Sequence, residues 1–139
     1  HSALVDTFHT VNKAGWAYDE VFTDSVTISN PDYYHQNAIN LRINGDYAYS
    51  NLWIKLKIAS QSGKVREEKL NLQLAEKTGK WLGSGLGDVV TFQIPVLGKY
   101  NFKESGTHTI TVEQYMRLEK LPNVESVGIK IEQLEEEIL

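Results

Sequence analysis

Apolar residues recur at every second position through most of this chain, and that period restricts it to strands. Ile39, Leu41 and Ile43 alternate with Asn40 and Arg42, and Leu52, Ile54, Leu56 and Ile58 alternate with Trp53, Lys55 and Lys57. Leu70, Leu72 and Leu74 alternate with Lys69, Asn71 and Gln73. Val90, Phe92, Ile94 and Val96 follow, then Ile110, Val112 and Met116, then Val127, Ile129 and Ile131. Successive side chains of a strand point to opposite faces, so each run buries one face and wets the other, as antiparallel sheets commonly do. Two weaker runs, Leu4 to Thr10 and Val21 to Ile28, come first. Turn residues separate the runs at Asn30-Pro31-Asp32, Asn44-Gly45-Asp46, Ser62-Gly63-Lys64 and Glu104-Ser105-Gly106. The pattern predicts an all-β fold of about eight antiparallel strands, a β-sandwich of jelly-roll or immunoglobulin-like form.

Helix is scarce in this reading. Tyr115 to Leu121 has room for one turn before Pro122, and Glu132 to Leu139 for a short acidic helix. The run Glu135-Glu136-Glu137 reads as a solvated tail.

A chain of 139 residues without repeat or linker is expected to form one domain, residues 1–139, with a single core. Its 14 basic and 18 acidic residues leave a net charge of −4, and no basic block interrupts that balance. Such a chain matches a phosphate backbone poorly, so nucleic acid is not an expected partner. Cysteine is absent, which removes disulfides, thiol nucleophiles and cysteine zinc sites. No apolar run reaches the roughly 20 residues that span a membrane. The chain opens at His1-Ser2 on a strand-like segment without a signal peptide, and a chain trimmed of its targeting segment would open the same way.

The stretch Trp81-Leu82-Gly83-Ser84-Gly85-Leu86-Gly87-Asp88 invites a phosphate-loop reading, which fails. A Walker loop needs Gly-Lys-Ser/Thr and a following helix, whereas Gly87 precedes Asp88 and a strand. A dinucleotide fingerprint needs a βαβ unit. The stretch is expected to be a bulged turn after an aromatic anchor, with a lesser chance of approaching a partner. Ser84 lies in Gly-Ser-Gly and not in the Gly-x-Ser-x-Gly of a nucleophile elbow. His1, His9, His35 and His108 lack the spacing of a metal site, and His9 and His108 fall in strand-like segments where a packed or orienting ring is expected. No catalytic, cofactor-binding or metal-binding residue emerges, and the chain is expected not to be an enzyme.

Trp53 falls on the polar face of its strand, out of phase with Leu52 and Ile54. An exposed aromatic can stack on a sugar or anchor a protein contact, and it can also cap a sandwich rim. Trp53, Trp81, Gly85 and Asp88 together form the candidate partner-binding region. Gln114 shares the inward phase of Ile110 and Val112, where its amide needs partners, so it is expected to tie the sheets together or mark a strand break.

Three blocks carry a resemblance: Tyr49-Ser50-Asn51-Leu52-Trp53, the segment from Leu74 through Gly-Lys-Trp-Leu-Gly-Ser-Gly to Gly85, and Glu113-Gln114-Tyr115-Met116-Arg117. With the closing Leu121 to Glu132, their order and spacing resemble the gliding-motility lipoprotein GldH family of Bacteroidetes, from about Trp16 to Glu132. The resemblance implies a lipoprotein of the cell envelope, facing the periplasm or the outer surface. It would be anchored to the membrane through a lipidated N-terminal cysteine that this chain lacks. It also implies protein partners in the gliding or secretion machinery, and it brings no catalytic residue. The competing expectation is a carbohydrate-binding module that uses the same exposed aromatics.

Overall fold

The structure, a computed structural model, describes residues 3–139, so His1 lies outside it. Among the described residues there is no helix. The strands are β1 (Val5–Asp6), β2 (His9–Thr10), β3 (Trp16–Ala17), β4 (Phe22–Ile28), β5 (Tyr33–Asn44) and β6 (Asn51–Ser60). They continue with β7 (Val65–Gln73), β8 (Ser84–Leu86), β9 (Val89–Tyr100), β10 (Gly106–Gln114), β11 (Lys120–Leu121) and β12 (Val124–Glu137). Each of the eight predicted runs has its strand, with β1 and β2 as halves of the first run, although Leu74 and Met116 fall just past the ends of β7 and β10. The four predicted turns fall at the junctions between strands, with Asn44 closing β5 and Gly106 opening β10.

One sheet has the order β1-β12-β5-β9-β8, with β2 also on β12, and the other has the order β4-β10-β6-β7. All pairs are antiparallel. With β1 and β2 taken as one interrupted strand, the pairs nest: first with last, β4 with β10, β5 with β9, β6 with β7. These nested pairs alternate between the two sheets, which is a long hairpin rolled up, the jelly roll of the two expected forms. A small ribbon, β3 with β11, lies outside both sheets.

Both sheets feed one core. Ile39, Leu41 and Ile43 of β5, and Val127, Ile129 and Ile131 of β12, share it with Leu52, Ile54, Leu56 and Ile58 of β6 and with Ile110 and Val112 of β10. Each such side chain contributes about 1.5–3 kcal/mol on full burial. Trp16 of the ribbon is also fully buried, its indole N–H donating to the Glu20 carbonyl at 3.0 Å.

Two expectations are corrected. Tyr115 to Leu121 makes no helical turn: β10 stops at Gln114, an irregular segment follows, and Lys120–Leu121 forms β11. Gln114 explains this, because its Nε2 donates to the Leu118 carbonyl at 2.6 Å while its Oε1 accepts from the Met116 amide at 2.8 Å. Those bonds take the backbone groups a helix would use. The same Nε2 lies 3.5 Å from the Trp16 carbonyl, so the buried Gln114 ties β10 to the ribbon.

Nor is Glu132 to Leu139 an acidic helix or a loose tail. β12 continues to Glu137, which pairs with Tyr33 of β5, and Lys99 Nζ meets Glu136 at 2.7 Å. β5 supplies ladder partners at Glu132, Gln133 and Glu137, with an irregularity between the last two, and this pairing overrides the weak helix preference of a Glu run.

Candidate contact face on the second sheet

Side chains of odd number on β6 point away from the core, which puts Trp53, Lys55 and Lys57 on the outer face of the second sheet. Cross-strand register then sets Glu113, Lys55 and Lys69 in one row. Lys55 Nζ lies 3.5 Å from Glu113. Beyond the end of β10 the chain stays beside β6: the Tyr115 amide donates to the Trp53 carbonyl at 2.7 Å. The Trp53 amide in turn donates to Met116 Sδ at 3.3 Å. Trp53 keeps 38% of its surface exposed.

Tyr115 is ringed by cations. Lys69 Nζ, the Arg117 guanidinium and Lys55 Nζ stand 4.8, 5.2 and 5.4 Å from its ring centroid. Arg117 Nη2 donates to the phenol oxygen at 3.0 Å, from a backbone held at φ +62°. That hydrogen bond, then Lys69, pulls the phenol below its ordinary pKa. Trp53, Tyr115, Met116 and Arg117 line an open depression of about 360 Å³. On a chain of net charge −4, this face gathers three cations beside two aromatic rings, with Glu113 as the neighbouring acid. Such a surface suits an anionic group approaching next to an apolar or planar one.

The glycine-rich stretch lies elsewhere. Trp81 bridges to Ala75 and packs, partly buried, against the core, with its ring 6.4 Å from that of Tyr47. Tyr47 is itself buried, its hydroxyl donating to the Asn51 carbonyl at 2.8 Å, and burial pushes its phenol pKa up. A Cβ on Gly83 would strike the Thr91 carbonyl and the Phe92 ring. Gly87, at φ +64°, is the first residue of the two-residue loop between β8 and β9, the place where a II′ turn calls for glycine. Gly85 has neither demand, since a Cβ there meets only the Val89 carbonyl at 3.7 Å. Asp88 is exposed, and its carbonyl accepts from the Gly45 amide at 2.9 Å.

Of the four residues singled out from sequence, Gly85 and Asp88 thus share one hairpin with Trp81 at its entry, while Trp53 sits on the other sheet. The Tyr49–Trp53 block touches both neighbourhoods. The Ser50 carbonyl accepts from Leu74 and Ala75, and Trp53 takes Tyr115. Sequence reasoning missed Tyr115, Lys55 and Lys69 as site residues. Its available signal was the outward phase of Trp53, whose cross-strand neighbours a single strand does not reveal.

One cluster has the composition of a hydrolytic triad but not its order. Asp24 takes both His9 Nε2, at 2.9 Å, and the Thr7 hydroxyl, at 3.0 Å. The carboxylate lies between them, so the imidazole does not reach the hydroxyl as it does in a Ser-His-Asp relay. Among the described residues no group of three or more His, Cys, Asp or Glu side chains could hold a metal ion.

The model of the GldH lipoprotein family matches residues 3–131, a stretch holding Trp53, Trp81 and Tyr115. The chain belongs to the GldH lipoprotein family. A gliding motility lipoprotein GldH homolog of Christiangramia forsetii is 35% identical over 101 residues, covering 68% of this chain and 62% of that protein. The gliding motility lipoprotein GldH of Flavobacterium johnsoniae is 28% identical over 137 residues, covering 94% of this chain and 84% of that protein. The chain therefore spans less than two thirds of the first relative's length.

Proposed function

We propose that this chain is the folded domain of a GldH-type lipoprotein, anchored in the cell envelope by an N-terminal lipid and facing the periplasm or the outer surface. It serves gliding motility by binding other envelope proteins of the gliding or secretion machinery, without catalysis. Membership in the family and the names of both relatives support the lipoprotein and motility parts. The contact mechanism rests on one observation: Trp53 stands exposed beside a tyrosine that three cations surround. Trp81, Gly85 and Asp88 form a second edge of the same contact, reached through the Tyr49–Trp53 block.

Affinity purification and crosslinking of the lipidated protein from its native membranes, with mass spectrometry, test this. Gliding or secretion components should be recovered, crosslinked through Lys55 or Lys69. Recovery of the protein alone, from membranes where control complexes survive, would overturn the reading. It would shift weight to a glycan-binding module, for which Trp53 is again the platform. A change in tryptophan fluorescence on adding glycan would then be required.

A further inference from the structure

The outermost strands of an open sheet have one unpaired flank, and most of those flanks are blunted in this fold. On the first sheet β8 is three residues long, and past it β9 carries Pro95 and a bulge at Leu97-Gly98, with φ of +65° and +56°. β1 and β2 are two residues each, and Thr7 and His9 beside them both hold Asp24, which draws β4 against that broken edge. β7 has none of these devices. It runs for nine residues without proline or glycine at the end of the second sheet, and it pairs with β6 without a bulge.

The β6–β7 ladder fixes which backbone groups of β7 are free. The Leu74 amide donates to the Ser50 carbonyl and the Ser60 amide to the Lys64 carbonyl, both at 2.8 Å, one step beyond either end of the ladder. Hydrogen-bonded pairs alternate along an antiparallel ladder, so the even-numbered residues of β7 bond to β6. Val65, Glu67, Lys69 and Asn71 therefore turn their amides and carbonyls to the open flank. Their side chains share the outer face with Trp53, Lys55 and Lys57, and all four residues are exposed. Such a row is a template for one more strand.

The charges on this row select the strand. Lys57 Nζ lies 3.9 Å from Glu67, while Lys69 meets the Tyr115 ring at 4.8 Å and, among the described residues, no carboxylate. A second copy of the chain, laid antiparallel along β7, uses the free groups only when odd-numbered residues face odd-numbered ones. Centred on Glu67 or on Lys69, that pairing sets the residue against its own like charge. Centred on Glu68, it sets Glu67 opposite Lys69 of the second copy and Lys69 opposite Glu67. Glu67 then lies between Lys57 of its own copy and Lys69 of the other. The two Glu68 side chains meet on the axis, each already paired with Arg66 at 2.9 Å. Opposite charges facing one another across a strand pair favour it, and like charges oppose it.

We propose that this chain self-associates through β7, about a two-fold axis at Glu68, so that the second sheets of two copies join into one continuous sheet. The same surface meets itself, which closes the assembly at two copies. The two Trp53 faces come to lie on the same side of the joined sheet. The pairing does not depend on the proposed envelope function.

The test is analytical ultracentrifugation of the purified chain at low salt, from micromolar to millimolar concentration. A dimer should form as concentration rises. Lys69→Glu, which sets a like charge against Glu67 of the other copy, should weaken it about tenfold. Combining Lys69→Glu with Glu67→Lys should restore it. The chain has no cysteine, so a single introduced one reports only on its own counterpart. Glu68→Cys should oxidise to a disulfide-linked dimer, because the axis brings its two copies within bonding range, and Asp19→Cys, exposed and remote from β7, should not. Circular dichroism should show every variant folded as the parent is. A monomer throughout the concentration range overturns the proposal. So does a dimer that Lys69→Glu leaves unchanged or that the double exchange fails to restore, or equal crosslinking at positions 68 and 19.

Discussion

Tyr115 hangs its backbone on Trp53: the Tyr115 amide donates to the Trp53 carbonyl at 2.7 Å, one step past the last β10–β6 pair, Gln114 with Ile54. This bond lays the Glu113–Arg117 block along the exposed tryptophan and puts the cation-ringed phenol next to it. Because the bond is between backbone groups, the side chains on the face can be changed without unlocking the strands.

Trp53→Ala and Asp88→Ala should therefore fold normally and weaken partner recovery from membranes. Both side chains are exposed, and such substitutions change stability by about 1 kcal/mol or less. Chemical denaturation alongside the affinity purification checks this. Unfolding of both variants would make these residues structural and end the contact proposal.

Tyr115 should ionise below the ordinary tyrosine range, because Arg117 donates to its oxygen and Lys69 favours the phenolate. An ultraviolet titration should show this phenol ionising before an ordinary tyrosine. Arg117→Ala should move that ionisation upward, and Tyr115→Phe should delete it.

Glycine substitutions should divide sharply by position. A Cβ on Gly128 would collide with the Thr7 carbonyl, where the buried Asn40, the cross-strand partner of Gly128, also donates at 2.9 Å. Gly128→Ala should cost about 3 kcal/mol, at the high end for overpacking, since the clash is with backbone. Gly85→Ala, with only an ordinary contact to make, should cost less than about 1 kcal/mol. Urea midpoints of the two variants give the comparison, and equal losses would contradict it.

Stability should fall on the acid side. The folded state holds His35 below the ordinary histidine pKa, mainly through burial, so the unfolded chain binds more protons as pH drops through that ordinary value. The contribution is complete above about pH 6.5 and is lost as pH falls below it, at up to about 1.4 kcal/mol per pH unit for one proton. Unfolding curves across this window should show the loss, and His35→Phe should flatten it.

How much of this was legible in the chain depended on the range of the interaction responsible. Alternation is a property of neighbours, so the inward faces of β5, β6, β10 and β12 could be read directly, as could the inward phase of Gln114. The bonds of Gln114 to Leu118 and Met116, and through them the end of β10, came from a side chain competing with local backbone, which no period displays. The Glu135–Glu137 run is solvated as read, but it is strand and not tail, because a pairing to Tyr33, far away in sequence, outweighs its weak local preference.

By itself the sequence determined an all-β chain of about eight long strands, the outward phase of Trp53 and the family to which the chain belongs. Tertiary structure alone decided for the jelly roll, since β1 pairing with β12 and β4 with β10 joins residues from distant parts of the chain. It also decided that Trp53 meets Tyr115, whose ring Lys69 faces, and not Trp81's hairpin, and that His35 and His108 of opposite sheets share Phe102. The physical reason is the same in each case. Which face a side chain takes is set by the backbone's own two-residue period, whereas its neighbours across a sheet are set by register, which forms only when distant strands pair.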